Sequence, residues 1–254
     1  MVDAHRMHEP MKGPPKDEYR RLLKHLANLK PDRPPDSDTL KYLVTSLPKL
    51  LANRNAGKIP QFGREPRKGS PGELSLRNRL WWLRCLPMAN RTHLFLLSPE
   101  YPVYESPKSR LSIDLLGILK NDRDEVAYTA VIELKWKSNN PLYALFEVAR
   151  NAVLLVQSKV RVEGSWRERV EKAYPPDMFK GRIFSEITQE HIIGMVVGPF
   201  EWYDKYCRQK KVCIETARKL RRASSGIRFE FWTFPKGTQC SSAPPKFLPL
   251  TRFW

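Results

Sequence analysis

The chain is short of the residues that build metal cages and covalent staples. It has four cysteines, Cys85, Cys207, Cys213 and Cys240, and no two of them form a Cys-x-x-Cys pair. The five histidines do not cluster with them, and His5 and His8 fall in a polar start, so a zinc site has little support. No signal-peptide pattern and no long apolar span is present, which points away from the membrane. The expectation is a cytoplasmic protein with reduced thiols, with the nucleoid or nucleus as further compartments. No internal repeat is visible, so solenoid architectures are set aside. Acids are scarce as well: 27 Asp and Glu stand against 45 Lys and Arg, a net charge of +18. Such an excess favours a polyanionic partner, most simply nucleic acid.

What is present is enough for one sizeable domain with accessory segments, since 41% of 254 residues are hydrophobic. Residues 1–15 are polar and proline-containing and are expected to be disordered. Residues 16–54 predict a helical hairpin. Tyr19, Leu22, Leu23, Leu26 and Leu29 repeat at helical spacing in its first helix. Its second starts near Asp36–Asp38, carries Leu40, Leu43, Val44, Leu47, Leu50 and Leu51, and kinks or ends at Pro48. Alone it is too small for a secure core, so it docks on the main domain or serves a protein partner or homodimer contact. Residues 55–69 are rich in Gly, Pro and basic groups and read as a linker.

The main domain is expected over 70–234. Ser70, Pro71 and Glu73 have the spacing of a capping box opening a helix through Leu74, Leu80, Trp81, Leu83 and Leu86, ending before Pro87. Strand-like THLFLLS, a turn around Pro99–Pro102 and a strand carrying Asp114 follow. A second strand, EVAYTAVIELKWK, then a helix opened by Asn140-Pro141, complete the middle of the chain. A basic insert of about residues 159–190 precedes HIIGMVVG, whose continuous apolar run suits a buried central strand. A long basic helix, Trp202 to Ala223, leads into the strand IRFEFWTF, and 235–254 is a tail whose Phe253-Trp254 can fold back on the core. The sum is an α/β fold with a mixed sheet flanked by helices: hairpin strands on one side, and a helical crossover to a parallel strand.

Asp114, Glu133 and Lys135 are charged residues inside apolar strands, where isolated charges are expensive. Strand alternation puts Val131, Glu133 and Lys135 on one face. With a hairpin tip at Asp122-Arg123, Asp114 falls opposite Val131, one diagonal step from Glu133 on that face. Two close carboxylates with a lysine suit a hard divalent cation such as Mg²⁺ and a charge-stabilising ammonium. These parts match metal-assisted phosphodiester hydrolysis. A structural pair of Lys135 with Asp114 or Glu133 is the plainer alternative.

Ile113-Asp114, Glu133-Leu134-Lys135 and the order of elements around them resemble the PD-(D/E)xK, or restriction-endonuclease-like, nuclease superfamily over about residues 70–234. Ile113 stands where the proline of the motif's name would be. The resemblance implies a restriction-endonuclease-like core and Mg²⁺, with Mn²⁺ able to substitute, held by Asp114, Glu133 and the backbone carbonyl of Leu134. Lys135 then assists the attacking water. The helix after Lys135 lacks the Gln-x-x-x-Tyr pattern of one exonuclease branch. An endonuclease on DNA, rather than RNA, is the expectation, and a catalytically silent nucleic-acid-binding or assembly protein is the rival.

Around this core, Glu73 either joins the metal site or completes the capping box. Glu147 either approaches the metal or Lys135, or pairs with Arg150. Lys137, Arg208, Lys210, Lys211, Arg218 and Lys219 are the expected nucleic-acid contacts, over a buried stripe of Val212, Thr216, Ala217 and Leu220.

Overall fold

The computed structural model describes residues 34–46, 72–89, 92–106, 109–121, 127–137, 139–157, 191–237 and 249–254. The first expected helix, Pro48, the linker, the hairpin tip and the basic insert lie outside these residues.

Helix α1 spans Ser37–Lys41 and runs on as a π-helical turn, Tyr42–Ser46. Asp36 caps it: its carboxylate accepts the Thr39 N–H at 2.8 Å. Leu40, Leu43 and Val44 are buried in the main core, so this segment belongs to the domain. Helix α2 spans Glu73–Leu83, strand β1 Cys85–Pro87, β2 Thr92–Ser106, β3 Ser109–Asn121 and β4 Ala127–Leu134. Helix α3, Pro141–Gln157, crosses to β5, Ile192–Pro199. Helix α4 covers Phe200–Lys205, α5 Lys210–Ala223, β6 Arg228–Phe234 and β7 Thr251–Arg252. No described helix is long and apolar enough to cross a membrane. Cys85, Cys207 and Cys213 are free thiols.

The seven strands lie side by side in chain order. β1 to β4 are antiparallel, β4, β5 and β6 parallel, and β7 antiparallel to β6. All eight residues of β5 are buried, which accounts for its unbroken apolar run. The sheet curls far enough for its edges to touch: Met88, just past β1, bridges Leu250, just before β7. Two apolar layers result. Leu94, Leu96, Leu115, Ile132, Leu134, Met195 and Trp232 fill one face, with Leu76, Leu80 and Trp81 of α2 against them. Phe95, Leu116, Val131, Val196 and Phe231 line the other, under α1, α3 and α5. At the chain's end Phe253 stacks on Tyr203 at 4.6 Å, so the aromatic tail does return to the core.

Several expectations need correction. The N-cap of α2 is Gly72, with no side-chain cap, where Ser70 was expected; Ser70 itself lies outside the described residues. The backbone carbonyl of Gly72 takes the first helical bond, from Leu76 N at 3.0 Å. The helix stops at Leu83, because Arg84 adopts φ 63°, and Cys85–Pro87 pairs with β2. Leu74, one of the apolar residues of this helix, is 61% exposed. Pro99–Pro102 makes no turn. β2 runs straight through, with register shifts at Leu96/Ser98 and Pro102/Tyr104, and the prolines sit beyond the part of β2 that β1 covers. The long basic helix is two helices joined by a 3₁₀ turn at Cys207–Gln209.

Gly117 of β3 sits level with Leu96, where a Cβ would lie 2.7 Å from the Phe95 backbone oxygen. Gly117→Ala is expected to cost about 1–3 kcal/mol by overpacking. An unchanged denaturant midpoint would contradict that close approach.

Candidate active site

The charged residues meet where β3 and β4 part, at the exit end of the parallel strands. The observed register pairs Leu116 with Val131 and Leu115 with Ile132. Continued one step, it brings Asp114 level with Glu133. The expected partner, Val131, was therefore two residues off, an even slip that leaves the face unchanged. The ladder stops there because Asp114 replaces a backbone acceptor: its Oδ2 takes the Leu134 N–H at 2.9 Å. Arg77 of α2 reaches the other oxygen, Oδ1, at 3.6 Å, and holds Glu100 at 2.7 Å.

On the same face Lys135 is clamped between two acids. Its Nζ donates to Glu133 Oε1 at 2.8 Å and lies 2.9 Å from Glu147 Oε2. The Glu133 and Lys135 side chains are 8% and 7% exposed, so these charges are within the protein rather than on it. Asn151, one turn after Glu147 on α3, steadies the second oxygen of Glu133 at 3.5 Å and donates to Ser112 O at 3.3 Å. Arg150 Nε in turn donates to Asn151 Oδ1 at 3.0 Å. Arg77 was not anticipated, and Asn151 was placed on the Glu147 side of its helix without a role. Each stands four positions after a candidate acid, Glu73 and Glu147, on one helix face, and that spacing was the available signal.

Leu134 offers its carbonyl to the same place. Lys135 N donates to Val197 O at 2.9 Å, on the β5 side. Across a trans peptide the preceding carbonyl points the opposite way, toward β3 and Asp114.

The electrostatics are lopsided. Four acids, Glu73, Asp114, Glu133 and Glu147, bear on Lys135, and Arg77 is shared between Asp114 and Glu100. Burial lifts the Glu133 carboxyl well above its ordinary value, and Asp114 and Glu147 add to the rise against the pull of Lys135. Burial raises Asp114 too, opposed by Lys135, the Leu134 N–H and Arg77. Burial works to lower Lys135, but Glu133 and Glu147 outweigh it and hold its pKa above that of a free lysine. A carboxyl with a raised folded pKa stabilises at low pH and loses that contribution as pH climbs from 4.5 through the raised value. Lys135 keeps its contribution below 10.5 and loses it only as pH rises through its own higher pKa. Without divalent metal, wild type is therefore expected to lose stability relative to Glu133→Gln as pH rises above 4.5. Denaturant midpoints across that range check it; the opposite trend would mean Glu133 ionises readily.

Among the described residues no three His, Cys, Asp or Glu side chains are grouped to hold a metal ion. The donor set is leaner, two carboxylates and a carbonyl. It suits a hard cation that keeps several waters, and the surplus of negative charge has the right sign.

The expected nucleic-acid contacts divide. Lys137 and Lys205 line a cleft of about 450 Å³ at the exits of β4 and β5, with Trp136 and Trp202. Gly198 leaves the space that the Trp202 ring occupies: a Cβ would lie 2.7 Å from that ring. Arg208, in the 3₁₀ turn, and Lys210 and Lys211, at the start of α5, are exposed. Arg218 lies about 12 Å further along that helix, away from the site. Lys219 is committed elsewhere, as its Nζ donates to Pro35 O at 3.1 Å and ties α5 to the segment before α1. The stripe under these residues is Val212, Cys213, Thr216, Ala217 and Leu220, all buried.

The chain matches no protein-family model, no curated protein and no solved structure. The resemblance to restriction-endonuclease-like nucleases therefore rests on the motif and the order of elements alone.

Proposed function

We propose that this protein is a metal-dependent nuclease that hydrolyses phosphodiester bonds, acting as an endonuclease on DNA. One observation carries the reading: Asp114, Glu133 and the Leu134 carbonyl face one spot beside Lys135, with acids in excess. These three groups would hold Mg²⁺, or Mn²⁺ in its place, and Glu73 contributes to the same field. Such a cation, when bound, polarises the phosphate and makes water a better nucleophile.

The chain's own residues supply the rest. The Lys135 ammonium provides fixed positive charge for the oxygen on which charge develops, in a site largely closed to water. Glu147 sets its position from α3, and Asn151 sets that of Glu133. Lys137, Lys205, Arg208, Lys210 and Lys211 align the strand through its phosphates. The restriction-endonuclease-like class follows from this reading of the site and from the antiparallel-to-parallel step at β4.

A second reading has an observation of its own. Lys135 already has two carboxylate partners, as a closed structural network would. That favours a catalytically silent nuclease fold that binds nucleic acid or assembles with a partner. Plasmid nicking separates the two. The nuclease nicks with Mg²⁺ or Mn²⁺ and stops under chelation, whereas nicking that survives chelation sinks the metal mechanism. Calorimetric metal titration that shows no binding dependent on Asp114 favours the silent form.

A further inference from the structure

Beyond β6, on the side of the sheet away from β3, the residues of α5, β6 and β7 enclose a cavity of about 350 Å³. Four arginines line it, Arg218 and Arg221 from α5, Arg228 from β6 and Arg252 from β7, against one acid, Glu230. Phe229, Phe231 and Trp254 complete its walls.

The four guanidinium groups are not equivalent. Arg228 is stacked over Tyr128 at 3.9 Å. Arg252 lies 3.4 Å from Glu230, whose other oxygen accepts from Trp232 Nε1 at 3.0 Å. Arg218 and Arg221 are exposed and have no acidic partner among the described residues. A merely solvated charge run fans out over one helix face. Here three elements turn arginines into one hollow with aromatic walls. Guanidinium forks match phosphate oxygens two at a time, and an aromatic face accepts a base. The volume suits one small molecule rather than a duplex.

We propose that this cavity binds one nucleotide unit, its phosphate on Arg218 and Arg221 and its base against Trp254. The unit is either a free mononucleotide or one residue of a single strand. The proposal does not rest on the nuclease reading. β4 and β5 lie between β3 and β6, so the cavity and Asp114 sit three strand spacings apart, roughly 14 Å measured along the sheet.

The test is calorimetric titration of the full chain, in chelator, with AMP, adenosine and a short oligothymidylate. A phosphate-bearing probe is expected to bind, and adenosine at least about tenfold more weakly than AMP. Tighter binding of AMP identifies the free nucleotide as the source, and tighter binding of the oligonucleotide identifies the strand. Arg218→Ala with Arg221→Ala is expected to weaken binding at least about tenfold, and Arg218→Lys with Arg221→Lys to lose part of it through the missing forks. Arg222→Ala, outside the cavity, is the control and leaves binding unchanged. Both replaced side chains are exposed, so the buried stripe of α5 is untouched. Failure of both phosphate-bearing probes to bind, or wild-type affinity in the double alanine variant, overturns the proposal.

Discussion

Glu133→Ala is expected to lower Mg²⁺-dependent nicking by at least about 10³-fold, roughly 4 kcal/mol of barrier. Two losses combine. One carboxylate of a two-carboxylate donor set disappears, and Lys135 loses its 2.8 Å partner. Asn151 loses an acceptor as well. Glu133→Gln keeps the shape and the acceptor for Asn151 while removing the charge. It is expected to be nearly as inactive, since a hard cation needs the charge. Asp114→Asn is expected to behave similarly and to loosen the join to Leu134 N. The assay is conversion of supercoiled plasmid to open circle with Mg²⁺, repeated with Mn²⁺. Glu133→Gln nicking at the wild-type rate would remove Glu133 from the metal and leave it a structural partner of Lys135.

The second large effect is on stability. Lys135→Ala leaves the Glu133 and Glu147 side chains, 8% and 16% exposed, facing each other without their cation. Removing one partner of a buried pair costs about 3–5 kcal/mol. That is a large fraction of a domain's total stability, so Lys135→Ala is expected to unfold at a much lower denaturant concentration. The informative comparison is the uncharged set, Glu133→Gln with Lys135→Met and Glu147→Gln. With every charge of the clamp removed, it is expected to match or exceed wild type, by up to about 4 kcal/mol. A triple variant as unstable as Lys135→Ala would show the clamp to be a net contributor to the fold. A stable but inactive triple variant would mark a site retained at the expense of stability.

Much of this architecture is legible in the residues. The charged strands, the crossover helix and the buried β5 each have one dominant period, and the middle of the chain reads in the right order. Register did not follow, because the polar tip after Asn121 fixes no turn length and an even slip leaves the face pattern intact. β1 and β7 are three and two residues long, too short for any periodicity, and they exist through their pairing with β2 and β6. Ser70, Pro71 and Glu73 carry the spacing of a capping box, yet Gly72 starts α2 through its backbone alone. Pro99 and Pro102 look like a turn but fall on an uncovered edge with bulges, where proline is tolerated. Within the site, Asp114, Glu133 and Lys135 announce themselves as charges among apolar residues. Glu147 had a local partner to compete for it, and only the packing of α3 against β4 brings it to Lys135.

The sheet also has an order of assembly written into it. Asp114, Glu133, Lys135, Glu147 and Asn151 all come from one continuous hairpin and helix. The join of Met88 to Leu250 spans more than half the chain. Short-range contacts close quickly, and long-range strand pairings wait on loop closure. The charged constellation is therefore expected to assemble before the sheet's edges meet. Amides of β3, β4 and α3 should gain protection from hydrogen exchange during refolding ahead of those near Leu250. Simultaneous protection would mean that the clasp at the edges, rather than the hairpin, is the nucleus.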